Sequence, residues 1–351
     1  MKAQVSVRVP GKVMLCGEYS VLTGGRALAA SLDRHLSVRV RPKAGLGGIH
    51  VASDIWDEPR FVRATDFETG DALVDTVRRG MELFGVSDME VRIDSELDIK
   101  LGLGSSSALR LGVLLALEEM GRLKPTSAPS HHDSHGRSIL MPLAKEAYLL
   151  QKKSQARASG YDVATQLIGG LVSFEKGDDD HSWPRSLSVE AESLQRNLST
   201  LVHLFGGGAG APTTPVMTST FGWLEARAKL RSLDEANSVL REAFLRALST
   251  PDNQEALALL CAATGEQRRI FADAPSYPRL LAERLTALPG CDKEWSFKTT
   301  GAGGEDAVLL LGHRHALSQA EKALKDLGWQ RIAVGFECAG TRVTRGATPH
   351  A

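Results

Sequence analysis

LGLGSSSAL, residues 101–109, sits between VRIDSELDIK, whose VRI core reads as strand, and RLGVLLALEEM, which reads as helix. A tight turn at such a junction needs one glycine, and a helix N-cap needs one serine. Here Gly102 and Gly104 are followed by Ser105, Ser106 and Ser107. Two glycines let the backbone take positive φ and approach a ligand with no Cβ in the way. Three serines at a helix start lie where free amides and the helix dipole favour an anion. The stretch predicts strand, phosphate-sized loop, then helix.

The rest of the chain bounds what such a loop can serve. Its 351 residues exceed what one hydrophobic core usually supports, so two packed units are expected. Lys plus Arg equals Asp plus Glu at 42 each, which argues against bulk nucleic-acid binding and leaves room for a local basic pocket. Cys16, Cys261, Cys291 and Cys338 are scattered, without metal-type spacing or a disulfide framework, as in a reducing compartment. MKAQVSVRVP alternates and carries charge, unlike a signal peptide, and no apolar run reaches a membrane span. A cytoplasmic protein bound to neither membrane nor nucleic acid is expected.

Along the chain, VSVRVP, KVMLCGEYSVL, ALAASL, LSVRVRP and GIHVAS read as strands broken by glycine turns. TGDALVDTVRRGMELFG has helical periodicity with a Thr/Asp start and a closing Gly. Residues 140–153 are helical and LVSFEKG is strand. Near Leu201 a second unit begins with LVHLFGGGAGAPTTP, followed by helices over 215–230, 233–249, 253–273 and 277–288. EWSFKTTG and DAVLLLG follow as strands, then a helix near 314–327 and a last strand, WQRIAVGF. Strands framing helices predict an α+β class with a split sandwich in the second half. The units are drawn as residues 1–190 and 191–351.

Two further glycine-rich loops stand out. PGKVMLCGEYSVLTGG, residues 10–25, places Lys12 and Glu18 close together, and taken alone reads as a hairpin with solvated charges. KTTGAGGEDAVLLL, residues 298–311, is a tight loop between strands, equally a hairpin turn or a phosphate cradle. The usual P-loop pattern is absent, since Val13 follows Gly11-Lys12. GGGAGA at residues 206–211 loosely matches a dinucleotide fingerprint, but the helices beyond it do not complete a βαβ unit.

Together the loops resemble the GHMP kinase superfamily. Its three motifs stand in order as PGKVMLCGE at 10–18, GLGSSSA at 102–108 and TGAGGED at 300–306. Within it the phosphomevalonate kinases resemble the chain most and the mevalonate kinases second, on GEYSVLTGG with Tyr19, on Lys100 before the loop, on SGYDVATQLIGGLVSF at 159–174 and on GGGAGAPTTPVM at 206–217. The resemblance implies a two-domain fold, a ribosomal protein S5 domain 2-like unit followed by a ferredoxin-like one. It also implies ATP and Mg²⁺ as cofactors, a small anionic acceptor, phosphomevalonate or mevalonate, and a monomer or homodimer.

By the same resemblance Lys12 and Asp162 are the catalytic pair. Lys100, Gly102, Leu103, Gly104, Ser105, Ser106 and Ser107 hold the nucleotide, with Ser106 the metal or phosphate ligand. Glu18, Tyr19, Ser159, Gly160, Thr213, Thr214, Gly301, Ala302 and Gly303 face the acceptor. A glutamate that holds Mg²⁺ in mevalonate kinases falls here on Gln151, and Lys152, Lys153 and Arg157 form a basic wall instead. A phosphomonoester acceptor is already ionised at neutral pH, its second pKa being near 6, so it needs cations more than a base. A sugar or homoserine kinase, or a ligand sensor without activity, are the alternatives. His131, His132 and His135 read as a polar loop and Cys16 as a packed side chain.

Overall fold

The computed structural model describes residues 3–54, 58–123, 137–155, 157–207, 213–301, 303 and 307–347. The first half comprises β1 (Ala3–Cys16), β2 (Arg26–Pro42), β3 (Ile49–Ser53), β4 (Arg60–Val62), α1 (Ala72–Phe84), β5 (Met89–Ser95) and α2 (Ser105–Arg122). Then come α3 (Arg137–Ser154), α4 (Tyr161–Ile168), β6 (Leu171–Glu175), β7 (Ser186–Val189) and α5 (Glu192–Leu201). The second half adds β8 (Val202–Gly206), α6 (Thr213–Ala226), α7 (Leu230–Ser249), α8 (Gln254–Phe271) and α9 (Arg279–Thr286). It closes with β9 (Ser296–Thr299), β10 (Ala307–Leu311), α10 (Ser318–Asp326), β11 (Gln330–Arg331) and β12 (Arg342–Ala347).

Strand alternation dictates the first sheet. Val5, Val7 and Val9 of β1 are fully buried, and Val7 lies opposite Val38 on β2 and Val343 on β12. The strand order is β12-β1-β2-β5-β3-β4, with β6 added on β2 and β7 on β6. Among the described strands of this sheet only the β3–β5 pair is parallel. The second sheet runs β11-β8-β10-β9, antiparallel throughout. The two sheets with their helices make the α+β architecture expected of the chain.

Helix boundaries follow local chemistry. Asp71 caps α1, its side chain accepting from the amides of Leu73 and Val74, and Gly85 ends it in the left-handed region. In α2, residues Ser107 to Leu117 are buried without a break, so the helix has no solvent face there. It packs on β1 and β2 on one side and on α1 and α3 on others. A helix apolar all round forms the middle of a core. That makes its N-terminus, where the 101–109 loop arrives, a fixed point.

The end of the chain differs from its sequence reading. Of WQRIAVGF only Gln330–Arg331 is strand; Ile332, Val334 and Phe336 pack against the main core as an irregular crossing segment. The final strand is β12, which returns to pair with β1 in the first sheet. Residues 191–351 therefore contribute to both sheets. An edge strand carrying Arg342 and Arg345 lacks the apolar alternation that would announce it. Among the described residues no helix is long and apolar enough to cross a membrane.

A buried polar network fastens the halves. Lys298 of β9 and Glu18 form an ion pair at 2% and 4% side-chain exposure. Gln267 of α8 donates to the other Glu18 oxygen at 2.9 Å and to Asn237 of α7 at 2.8 Å. Asn237 in turn accepts from the Gly17 amide at 3.0 Å and donates to the Glu18 carbonyl at 3.2 Å. The charges of the first loop are thus not solvated, as the hairpin reading had them; partners from distant helices and strands take water's place.

Lys298→Met should cost about 3–5 kcal/mol in urea unfolding, because it strands the Glu18 carboxylate in the interior. The double change Glu18→Gln, Lys298→Met should recover part of that loss; a single-mutant cost below about 1 kcal/mol contradicts the network. Cys16 at the end of β1 is buried, and burial first, then Glu18, push its thiol up to about 12. An aromatic disulfide reagent at pH 8 should therefore label exposed Cys338 in the native protein and reach Cys16 only after unfolding. Equal native labelling of the two would refute that burial.

Candidate active site

The first sheet bulges where β1 passes the 101–109 loop, with register shifts between Pro10 and Lys12 and between Met14 and Cys16. At Gly11 a Cβ would come within 2.7 Å of the Leu97 side chain and 3.3 Å of the Leu103 carbonyl, so a larger residue would have to displace Leu97 and crowd the loop. The Lys12 amide then donates to the Leu103 carbonyl at 2.9 Å. Its side-chain ammonium donates to the Gly102 carbonyl at 2.8 Å and to the Tyr161 hydroxyl at 2.9 Å. Lys12 is 6% exposed, a cation fixed from both ends.

The loop itself turns through Gly102 at φ 63° and Gly104 at φ 89°. Gly104 is the N-cap of α2 and no side chain caps the helix. Ser107 is buried and its hydroxyl donates back to the Gly104 carbonyl at 3.0 Å. The leading amides of a long helix are thereby left without a side-chain partner, the arrangement that receives an anion. Ser106 is exposed toward the cavity, and its Oγ accepts from the guanidinium of Arg110.

Opposite lies α4. Gly160, its N-cap at φ 75°, sits against Tyr148 and Trp183. Asp162 follows in the first turn, 8% exposed. One of its carboxylate oxygens accepts from the Val163 amide at 3.0 Å, the other from the Gln151 side-chain amide at 2.9 Å. Burial pushes the Tyr161 hydroxyl up, against the pull of the Lys12 ammonium, so at neutral pH it stays a protonated phenol.

These groups line one cavity of 180 Å³. Of the expected residues it gathers Lys12, Glu18, Tyr19, Gly102, Gly104, Ser105, Ser106, Ser107, Ser159, Asp162 and Gly301. The third loop reaches it through Thr300, whose hydroxyl donates to the Met14 carbonyl at 2.9 Å. Tyr19 also packs on Phe221 and Phe271. Lys100 is exposed and not among the lining residues, and Leu103 is a core side chain whose carbonyl serves Lys12. Gly160 acts as the α4 cap; Thr213 and Thr214 open α6, from which Met217 reaches the cavity. Gly303 lines a neighbouring small pocket with Glu18 and Tyr19. Ala302 and the His131, His132 and His135 loop lie outside the described residues.

Of the basic wall, Arg157 lines the cavity and the two lysines do not. Lys152 pairs with Asp180 at 2.7 Å and Lys153 with Glu68 at 2.7 Å, both at the surface. Arg157 lines the cavity, its guanidinium 3.8 Å from the Phe221 ring centroid and 3.4 Å from Glu225. Sequence reasoning passed over Tyr161, Arg110, Thr300 and Lys298. Tyr161 adjoins Asp162 and was within reach; the others depend on contacts no local pattern reveals.

The anion-receiving loop fits a nucleotide's phosphates. An oxygen cage for a divalent cation does not assemble in the same way. Among the described residues no group of three His, Cys, Asp or Glu side chains could hold a metal ion. Gln151 presents an amide where a carboxylate was the expected ligand, and Ser106 is already held by Arg110.

Comparison with known proteins adds the lineage. The model of the GHMP kinases N terminal domain matches residues 71–170. Mevalonate kinase of Methanothermobacter thermautotrophicus is 28% identical over 168 residues, 48% of this chain and 49% of that one. The chain spans about half the length of the curated relatives it matches. Among solved structures, a Listeria innocua protein superposes with a TM-score of 0.71 at 17% identity, covering 97% of this chain and 99% of that one. Phosphomevalonate kinase of Streptococcus pneumoniae, in complex with phosphomevalonate and AMPPNP, superposes at 0.69 and 17% identity over 94% and 99%. At such identity the likeness speaks for the fold. Three glycine-bearing loops meet at one cavity, residues 71–170 across the second of them match the GHMP kinases N terminal domain, and the chain is similar to the GHMP kinases.

Proposed function

We propose that the chain transfers the γ-phosphoryl group of ATP to phosphomevalonate, giving diphosphomevalonate. The observation that carries this reading is the charge pattern of the cavity. Two cations, Lys12 and Arg157, line it, while both oxygens of Asp162 are occupied by N–H donors. A carboxylate so held is oriented as a fixed negative charge, with one acceptor position on each oxygen already used. That suits an acceptor oxygen that has already lost its proton.

In this reading the leading amides of α2 and the Ser106 hydroxyl bind the nucleotide phosphates. Lys12 stands where acceptor and donor phosphates meet and offsets their mutual repulsion. Arg157 receives the acceptor's own phosphate, and Asp162 orients the groups around Lys12. A phosphate oxygen of the acceptor forms the new P–O bond as the bond to the ADP oxygen breaks, and no proton need be removed. Mg²⁺, arriving with the nucleotide, would supply further neutralisation of phosphate charge.

Phosphorylation of mevalonate itself is the second reading, favoured by the curated relatives, which are mevalonate kinases. There Asp162 would have to accept the hydroxyl proton. A panel of phosphomevalonate, mevalonate, galactose and homoserine with coupled ADP detection separates the readings. Turnover of phosphomevalonate is expected; turnover of mevalonate or a sugar alone contradicts the proposal. Nucleotide binding without acceptor-dependent ADP release would make the chain a sensor.

Lys12→Met should lower kcat by about 10²–10³. Arg157→Ala should raise KM for phosphomevalonate about tenfold, the value of one charge-assisted contact, and leave KM for ATP unchanged. An Arg157 variant that alters both constants equally would remove it from the acceptor side.

A further inference from the structure

Arg110 lies one turn into α2 and is 2% exposed. An interior guanidinium is ordinarily matched by a carboxylate, because burying an unpaired charge is costly. Among the described residues Arg110 has no such ion-pair partner. Its hydrogen bonds run to neutral oxygens: the Ser106 carbonyl at 3.2 Å, the Ser106 hydroxyl, and the Ser154 hydroxyl at 2.8 Å. Burial pulls its pKa down while Asp162 and Asp75, acting from a distance, pull it up. An arginine stays charged under such pulls.

The contact with Ser106 fixes what that hydroxyl can do. A serine hydroxyl has one hydrogen and two lone pairs. With Arg110 donating to one lone pair, the hydrogen is directed away from the guanidinium, and Ser106 is exposed on the cavity side. A divalent cation on the same oxygen would sit beside a fixed positive charge, whereas a phosphate oxygen would meet both a donor and that charge. The hold extends to the far wall. Ser154 donates to the Gln151 carbonyl at 3.0 Å, and the Gln151 side chain donates to Asp162. Among the described residues the Gln151 amide oxygen has no hydrogen-bond partner, and the amide is oriented by its bond to the Asp162 carboxylate.

We propose that Arg110 is a positioning residue for the nucleotide phosphates: it grips Ser106 from beneath the loop, makes that hydroxyl a donor to a phosphate oxygen, and supplies fixed positive charge behind it, so that Ser106 does not ligate the divalent cation. The metal is then carried by the nucleotide and not by a protein oxygen of this loop. The inference rests on the kinase reading only for nucleotide binding and is independent of the acceptor.

AMPPNP binding measured by calorimetry, once with Mg²⁺ and once with EDTA, tests it. Ser106→Ala should weaken binding about tenfold, the value of a hydrogen bond to a charged group, and by the same factor in both conditions. Arg110→Gln should cost a similar factor, and in that background Ser106→Ala should add less than about twofold, since the two act as one unit. Arg110→Lys, which keeps the charge, should recover part of the affinity. A Ser106→Ala loss seen only with Mg²⁺ would identify a metal ligand and overturn the proposal. So would losses at the two positions that simply multiply. The Ser106 comparison leaves Arg110 intact and therefore stands if the arginine variants fold poorly. Failure of the wild type to bind AMPPNP removes the kinase reading and this inference together, whereas failure of phosphomevalonate in the substrate panel leaves the inference untouched.

Discussion

One lysine ties the 101–109 loop to the first strand, and the site is organised around it. The Lys12 amide and ammonium bond successive carbonyls of the loop, Leu103 and Gly102. Loop and strand can come this close because position 11 has no Cβ and β1 bulges there. The loop is then handed to α2, whose buried length anchors its first turn against the sheet. An ammonium at 6% exposure has lost most of its water, so it needs partners at rest and has strong electrostatic reach when an anion arrives. The Gly102 carbonyl and the Tyr161 hydroxyl are among those partners.

The second constraint is that the cavity is assembled from both ends of the chain. Glu18 is held by Lys298, 280 residues away, and Thr300 closes on Met14 from the same strand end. Polar groups buried this deeply stabilise only if nearly all their hydrogen bonds are made. In the Glu18, Asn237, Gln267 and Lys298 set they are made mutually, which fixes the spacing between the two sheets. The apolar residues around it, among them Tyr19, Phe221 and Phe271, keep water from competing.

Much of this was legible because the informative signals are local. Paired glycines, a serine run and a following apolar helix describe a loop over a few consecutive residues, and three such loops in one order describe a family. Capping of α1 by Asp71 and its stop at Gly85 are read the same way. What the sequence left dark is long-range. Arg110 is a single polar position in an apolar stretch, and only the fold shows it gripping Ser106. Lys152 and Lys153 looked equivalent to Arg157, but the fold turns Arg157 to the cavity and the two lysines to surface carboxylates. Strand β12 carries its pairing information in β1 and not in its own composition.

The central claim is that Lys12 and Arg157 divide the work of holding two phosphate-bearing molecules at one cavity. The most direct measurement is a crystal structure of the chain with phosphomevalonate and AMPPNP bound together. The account predicts the Lys12 ammonium between the acceptor phosphate and the terminal phosphate of the nucleotide, with Arg157 on the acceptor. A structure in which Lys12 keeps its contacts to Gly102 and Tyr161 alone, with the acceptor bound elsewhere, would contradict it.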